Sequence, residues 1–304
     1  MTTQPSTPAP GDAGKRHPIV QFFQKDFVKD VLFVLVAFLV LNSFVVASFV
    51  VPTGSMENEI MAGDFLFVNK FLYGGTTPRN VPFLEIRLPW FRLPALRSVE
   101  RGDVIVFEFP GYRDEVRASE FQFYLKRCIA MSGDTIQIVN RVLMVNGKKA
   151  PLPRNMKFNN LRMKPAGYGE DAIFPRGAPY NEDNWGPEIV PAKGDVIPLT
   201  AGSIDRWRTF IAREGHAVRA RDDGTILVDG SPSASYSVQR NYYFGMGDNR
   251  DNSLDSRFWG YIPEENIVGT PIIVYWSWNS DIPIYSIFSK IASIRLGRVG
   301  TIIK

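Results

Sequence analysis

The chain has 304 residues, 45% hydrophobic and 22% charged, with 25 Gly and 22 Pro, a composition that suits a folded, loop-rich protein and excludes a low-complexity one. Its 35 Lys and Arg stand against 31 Asp and Glu for a formal charge of +4; the basic residues are spread out, and no basic tract with interleaved aromatics points to nucleic acid. The single cysteine, Cys128, excludes an intrachain disulfide and a Cys-based metal cluster, and reads as a small apolar filler.

The first 14 residues, MTTQPSTPAPGDAG, have the composition of a disordered tail, and residues 1–30 are expected to be cytoplasmic. Residues 31–51, VLFVLVAFLVLNSFVVASFVV, carry no charge. As a helix they would extend about 30 Å, the thickness of a bilayer's hydrocarbon core, so one transmembrane helix is expected there. A cleavable signal peptide fits poorly, because the segment ahead is too long and the apolar run exceeds the usual one. Lys15, Arg16, Lys25 and Lys29 precede the run and the next basic residue is Lys70, which by the positive-inside rule puts the N-terminus in the cytoplasm and the rest outside.

Beyond Pro52 the pattern changes to short runs rich in β-branched and aromatic residues. DFLFVNKFLY (64–73), DVIVFEFP (103–110), FQFYLKRCIA (121–130), DTIQIVNRVLMVNG (134–147) and TILVDG (225–230) read as strands. Gly63-Asp64, Gly102-Asp103, Gly133-Asp134 and Gly194-Asp195 each precede such a run as tight turns do. A hairpin is expected to turn near Asn140-Arg141. Ile204, Trp207, Phe210 and Ile211 are spaced for a short helix starting after Ser203 and stopping at Gly215. The expected organisation is mostly β: a β core over 52–149 and 241–304, with a β-rich insertion at 150–240. Asp281 and Pro283 interrupt the apolar 271–288 stretch and argue against a second membrane pass, leaving Trp276, Trp278 and Tyr285 for the core or a headgroup-level surface.

His17 and His216 are the only histidines, neither inside a motif, so a Ser-His-Asp triad and a His-based zinc site are weakly supported. Pro52-Thr53-Gly54-Ser55-Met56 is more informative: a serine just past the membrane run, with a glycine before it, can serve as a nucleophile whose own N–H joins an oxyanion hole. Lys126 lies in an expected strand among Phe123, Leu125, Cys128 and Ile129. Burial there would disfavour its charge and make it a base for Ser55. In Gly247–Arg257, GDNRDNSLDSR, ten of eleven residues are Gly or polar. It lacks the acidic spacing of an EF-hand and reads as a hydrogen-bonded network that fixes a site from behind.

These segments, with Gly63-Asp64, make the sequence similar to bacterial type I signal peptidases over roughly residues 30–270. Ser55-Met56, Gly63 through Lys70, Lys126 through Asp134, and Gly247 through Gly260 match that family's boxes in order. The resemblance implies a Ser/Lys-dyad endopeptidase with Ser55 as nucleophile and Lys126 as general base. Thr53 would join the Ser55 N–H in the oxyanion hole, Ser253 would hydrogen-bond and orient the lysine, Asp255 and Arg257 would pair behind it, and Met56 would pack near the cleft. It implies no metal and no cofactor. Implied partners are preprotein signal peptides with Ala-X-Ala-like cleavage sites, membrane lipid and, for 150–240, the translocation machinery or merely the core it shields. One departure stands out: Asn58-Glu59-Ile60 occupies the place where the family often has Pro-Thr-Leu. The alternatives are a peptidase like the self-cleaving repressors, and an inactive envelope assembly protein.

Overall fold

The structure, a computed structural model, describes residues 18–79, 86 and 88–304, with backbone alone for 18–26. The tail expected at 1–14, and His17, lie outside the described residues. Two compact units are present, one ending at Asn42 and one spanning Ser43–Lys304.

Helix α1 runs Pro18–Phe44. Its Phe27–Phe44 stretch, with a mean hydropathy of 2.1, is the one described helix long and apolar enough to cross a membrane. It stops seven residues short of the expected end at Val51, and Val46–Val50 is instead strand β1. An apolar run alone does not separate helix from strand. Valines 45, 46, 50 and 51 favour extended backbone, and β2 (Asp64–Asn69) supplies the ladder, from Val46 opposite Asn69 to Val50 opposite Phe65.

In the second unit β3 (Val104–Glu108) and β4 (Phe123–Met131) pair antiparallel, with Ile105 opposite Lys126. The hairpin β5 (Thr135–Val139) and β6 (Val142–Val145) turns at Asn140 and Arg141, both at positive φ, as expected. It forms a four-stranded sheet with β7 (Lys148–Lys149) and β8 (Trp185–Ile189), in the order β7-β6-β5-β8. The expected boundary at 149/150 therefore cuts through one sheet, because the hairpin's outer edge is completed by residues 185–189. Strand β9 (Val196–Pro198), helix α2 (Ile204–Arg213), β10 (Val218–Ala220), β11 (Ile226–Val228), β12 (Ser231–Pro232) and β13 (Ser235–Ser237) follow. As the spacing predicts, α2 buries Ile204, Phe210 and Ile211.

The chain then returns through β14 (Tyr242–Met246), the four-residue helix α3 (Ser256–Trp259), β15 (Ile262–Pro263) and β16 (Ile267–Ser277), and ends with helix α4 (Ile287–Ala292). The main sheet has the order β1-β2-β16-β3-β4-β14-β15. Trp276 and Trp278 are half-buried and Tyr285 is exposed. Two buried apolar clusters cover opposite faces of β3: Val104 and Val106 pack with Met56, Leu66 and Val274, while Ile105 and Phe107 pack with Cys128, Tyr243 and Trp259. A third cluster, including Ile136, Leu143, Trp185 and Phe244, joins the four-stranded sheet to β14.

The four Gly-Asp pairs repeat one device. Gly63, Gly102, Gly133 and Gly194 have φ of 87°, 97°, 83° and 92°. Each following aspartate accepts a 2.8 Å bond from the N–H three residues back, at Met61, Glu100, Met131 and Ala192. The glycine provides the left-handed step and the carboxylate closes the turn that feeds a strand.

Candidate active site

Two main-sheet edges border a groove of about 340 Å³, lined among others by Phe49, Val51, Thr53, Ser55, Met56, Leu125, Lys126 and Leu254. One border is β1 with the turn after it. The other is the start of β4, where β14 pairs only from Arg127 onward. Backbone at 123–126 is therefore uncovered on that side among the described strands.

Ser55 sits in the turn after β1, held by the Glu57 N–H to Gly54 carbonyl bond (3.1 Å) and by Ile60 to Met56 (2.8 Å). It is 8% exposed. Lys126 is 4% exposed, and its Nζ lies 2.8 Å from Ser55 Oγ and 3.1 Å from the Leu125 carbonyl. Burial dominates its titration and pulls the ammonium down to about 8; Asp255 and Asp248 raise it and Arg257 lowers it further. A lysine without a carboxylate in contact, facing a hydroxyl at hydrogen-bond distance, can accept that hydroxyl's proton.

Backbone sterics keep this contact open. A Cβ at Gly245 would lie 3.1 Å from Lys126 Cβ and 2.8 Å from Ile262 Cδ1, so the bare backbone of this β14 residue leaves room for the lysine stem. A Cβ at Gly247 would come within 2.2 Å of Ser253 Oγ and 2.5 Å of the Ser55 carbonyl. Glycine there lets the Gly247–Arg257 loop close on the serine.

That loop is a buried network. Arg257 Nε and Nη2 each lie 2.9 Å from the Asp255 carboxylate, which also accepts from the Gly247 N–H at 3.2 Å. Burial works against the Asp255 charge, but the Arg257 guanidinium holds the carboxyl below its usual range. Asp248 takes Arg127 Nε at 2.9 Å and Nη2 at 2.6 Å, both side chains buried. Asn249 N–H donates to the Ser55 carbonyl (3.0 Å), and its side chain donates to the Gly54 carbonyl (3.1 Å).

The remaining anticipated residues fall as follows. Met56 is 1% exposed, lines the groove and accepts the Asp248 N–H at its sulfur, 3.4 Å away. Thr53 lines the groove and is exposed. Ser253 Oγ is buried and has no hydrogen-bond partner among the described residues, so the expected bond to the lysine is absent. Lys126 Nζ is directed to Ser55 and Leu125, while Ser253 Oγ packs against the bare Cα of Gly247. Sequence reasoning did not assign roles to Arg127, Asp248 or Asn249. The one available signal was strand alternation, which turns Arg127 away from Lys126 toward a burial that demands a counter-ion. Among the described residues no cluster of His, Cys, Asp or Glu could hold a metal ion.

The sequence is similar to several known proteins. The chain is 29% identical to signal peptidase I of Aquifex aeolicus over 262 residues, covering 82% of this chain and 83% of that one. It is 29% identical to signal peptidase I of Pseudomonas aeruginosa over 276 residues (86% and 75%) and 31% identical to that of Rickettsia prowazekii over 282 residues (88% and 89%). With residues 24–276 matching the profile described as "Signal peptidase, peptidase S26", the chain belongs to that family.

Proposed function

We propose that this protein removes N-terminal signal peptides from exported preproteins at the outer face of the cytoplasmic membrane, by a Ser55/Lys126 dyad. The 2.8 Å contact between Ser55 Oγ and a buried Lys126 Nζ carries this reading. Neutral Lys126 takes the Ser55 proton as Oγ attacks the scissile carbonyl, and the tetrahedral oxygen is held by the Ser55 N–H and the Thr53 hydroxyl. The lysine then gives its proton to the departing amine, leaving an acyl-enzyme. Neutral again, it deprotonates a water that attacks the ester, and it returns that proton to Ser55 Oγ as the acyl C–O bond breaks and the signal peptide leaves as its carboxylate.

The substrate reading rests on family membership and on the groove. Its two borders, at 49–53 and 122–126, can pair with an extended peptide, and its apolar lining suits small side chains of the Ala-X-Ala kind. The outer-face assignment rests on Lys15, Arg16, Lys25 and Lys29 ahead of the apolar helix. Ser55 follows the helix end closely in sequence, which suits a substrate delivered in the membrane. Full-length protein in liposomes, given a radiolabelled preprotein, is expected to release the signal peptide, whereas Ser55→Ala and Lys126→Ala fold normally and release none. Normal cleavage by either variant would refute the dyad.

A further inference from the structure

Segment 155–160 runs beside the Gly247–Arg257 loop. The Lys157 N–H donates to the Asp248 carbonyl at 2.9 Å and the Lys157 carbonyl accepts the Arg250 N–H at 3.0 Å, so Lys157 and Asn249 form a parallel bridge. Asn159 Nδ2 donates to Asn249 Oδ1 at 2.8 Å, and the Asn160 N–H donates to Asp251 Oδ2 at 2.7 Å.

The same segment grips the nucleophile turn. Lys157 Nζ is 2.8 Å from Glu57 Oε2, Asn155 Nδ2 donates to Glu59 Oε2, and Asn58 Nδ2 donates to the Asn155 carbonyl at 3.4 Å. Glu57 Oε2 also accepts from Asn249 Nδ2 at 3.2 Å. A closed ring results: the Ser55 carbonyl is held by Asn249, Asn249 is held by Asn159 and Glu57 while Lys157 holds its neighbours Asp248 and Arg250, and Glu57, which Lys157 also grips, belongs to the Ser55 turn.

Asn58 sits at φ 83°, which proline cannot adopt, so the turn lacks the restraint a fixed φ would give. We propose that 155–160 is a strap that replaces this restraint and positions Ser55, with Lys157 the principal positioning residue, acting through Glu57. The proposal rests on the reading of Ser55 as nucleophile. The Lys157 and Glu57 side chains are 25% and 39% exposed, so their pair contributes little to global stability. Its consequence is local, since a displacement of about 1 Å at a reacting atom can cost roughly 100-fold in rate.

The test uses the full chain in detergent micelles with two readouts. In a Ser55→Cys background, the thiol at position 55 is alkylated by iodoacetamide at pH 7, a reaction that needs no peptide. Lys157→Met and Glu57→Gln are each expected to slow it about fivefold, the double variant to be no slower than either single one, and Lys157→Arg to stay near the parent. With Ser55 intact, Lys157→Met is expected to lower kcat for a signal-peptide substrate about tenfold at unchanged KM, with the melting temperature held within about 2 °C. Alkylation unchanged by Lys157→Met, strictly additive losses in the double variant, or a rate loss matched by a fall in melting temperature would overturn the strap. Absence of peptide cleavage by the wild-type chain would overturn the proposed function instead, and the alkylation comparison would still decide the strap.

Discussion

Replacing Lys126 with methionine should abolish activity and yet stabilise the folded chain at neutral pH. The side chain is buried, and burial lowers its titration from the ordinary 10.5 to about 8. At about 1.4 kcal/mol per pH unit, that gap means the fold carries a penalty of about 3 kcal/mol whenever the amine is charged in both states. The sign follows from a folded value lying below the unfolded one. The penalty is complete below pH 8, shrinks between pH 8 and 10.5 as the folded amine binds fewer protons than the unfolded one, and vanishes above 10.5. Methionine removes it but also removes the bonds to Ser55 Oγ and the Leu125 carbonyl, worth about 1 kcal/mol each. Lys126→Met should therefore be about 1 kcal/mol more stable than wild type at pH 7, and no more stable at pH 10.5. Urea unfolding of the full chain in one detergent, across that pH range, reads this difference. A stability gap that does not change with pH would refute the reasoning.

Three other perturbations probe the frame around the dyad. Asn58→Pro should destabilise by about 3 kcal/mol because φ is 83° there, whereas Asn58→Gly should be neutral or better in thermal melting. Gly247→Ala puts a carbon within 2.5 Å of both Ser253 Oγ and the Ser55 carbonyl. It should cut the rate of signal-peptide cleavage by about 100-fold or more, and a rate within threefold of wild type would contradict the close packing described. Arg298→Ala should cost about 3 kcal/mol in denaturant unfolding, because Asp64 is wholly buried and Arg298 Nε is 2.9 Å from its carboxylate.

Much of the fold could be read from local signals. The Gly-Asp turns, the Asn140-Arg141 hairpin and α2 are short-range patterns whose chemistry lies within a few residues, and the structure forms each where the sequence implies it. The end of α1 was not legible, because Val46–Val50 is as apolar as the helix and becomes a strand only through a partner at 65–69. The sheet that spans 149/150 was hidden for a similar reason: β5 and β6 look like core strands, and only pairing with β8, about fifty residues later, places them in the second sheet. At the site, Ser55 and Lys126 stood out by residue type and neighbours. Their separation of 71 positions, the Arg127–Asp248 pair and the hold of Lys157 on Glu57 are long-range facts that no local pattern carries.

The account depends on an amine that is neutral in a substantial fraction of molecules near pH 8. Direct titration of Lys126 by NMR, following the 13Cε resonance of labelled lysine in the full-length protein and assigning it by its loss in Lys126→Met, measures that property without reference to any substrate. The expected midpoint is near 8. A Lys126 resonance that titrates at its ordinary 10.5 would leave Ser55 without a base and contradict the mechanism.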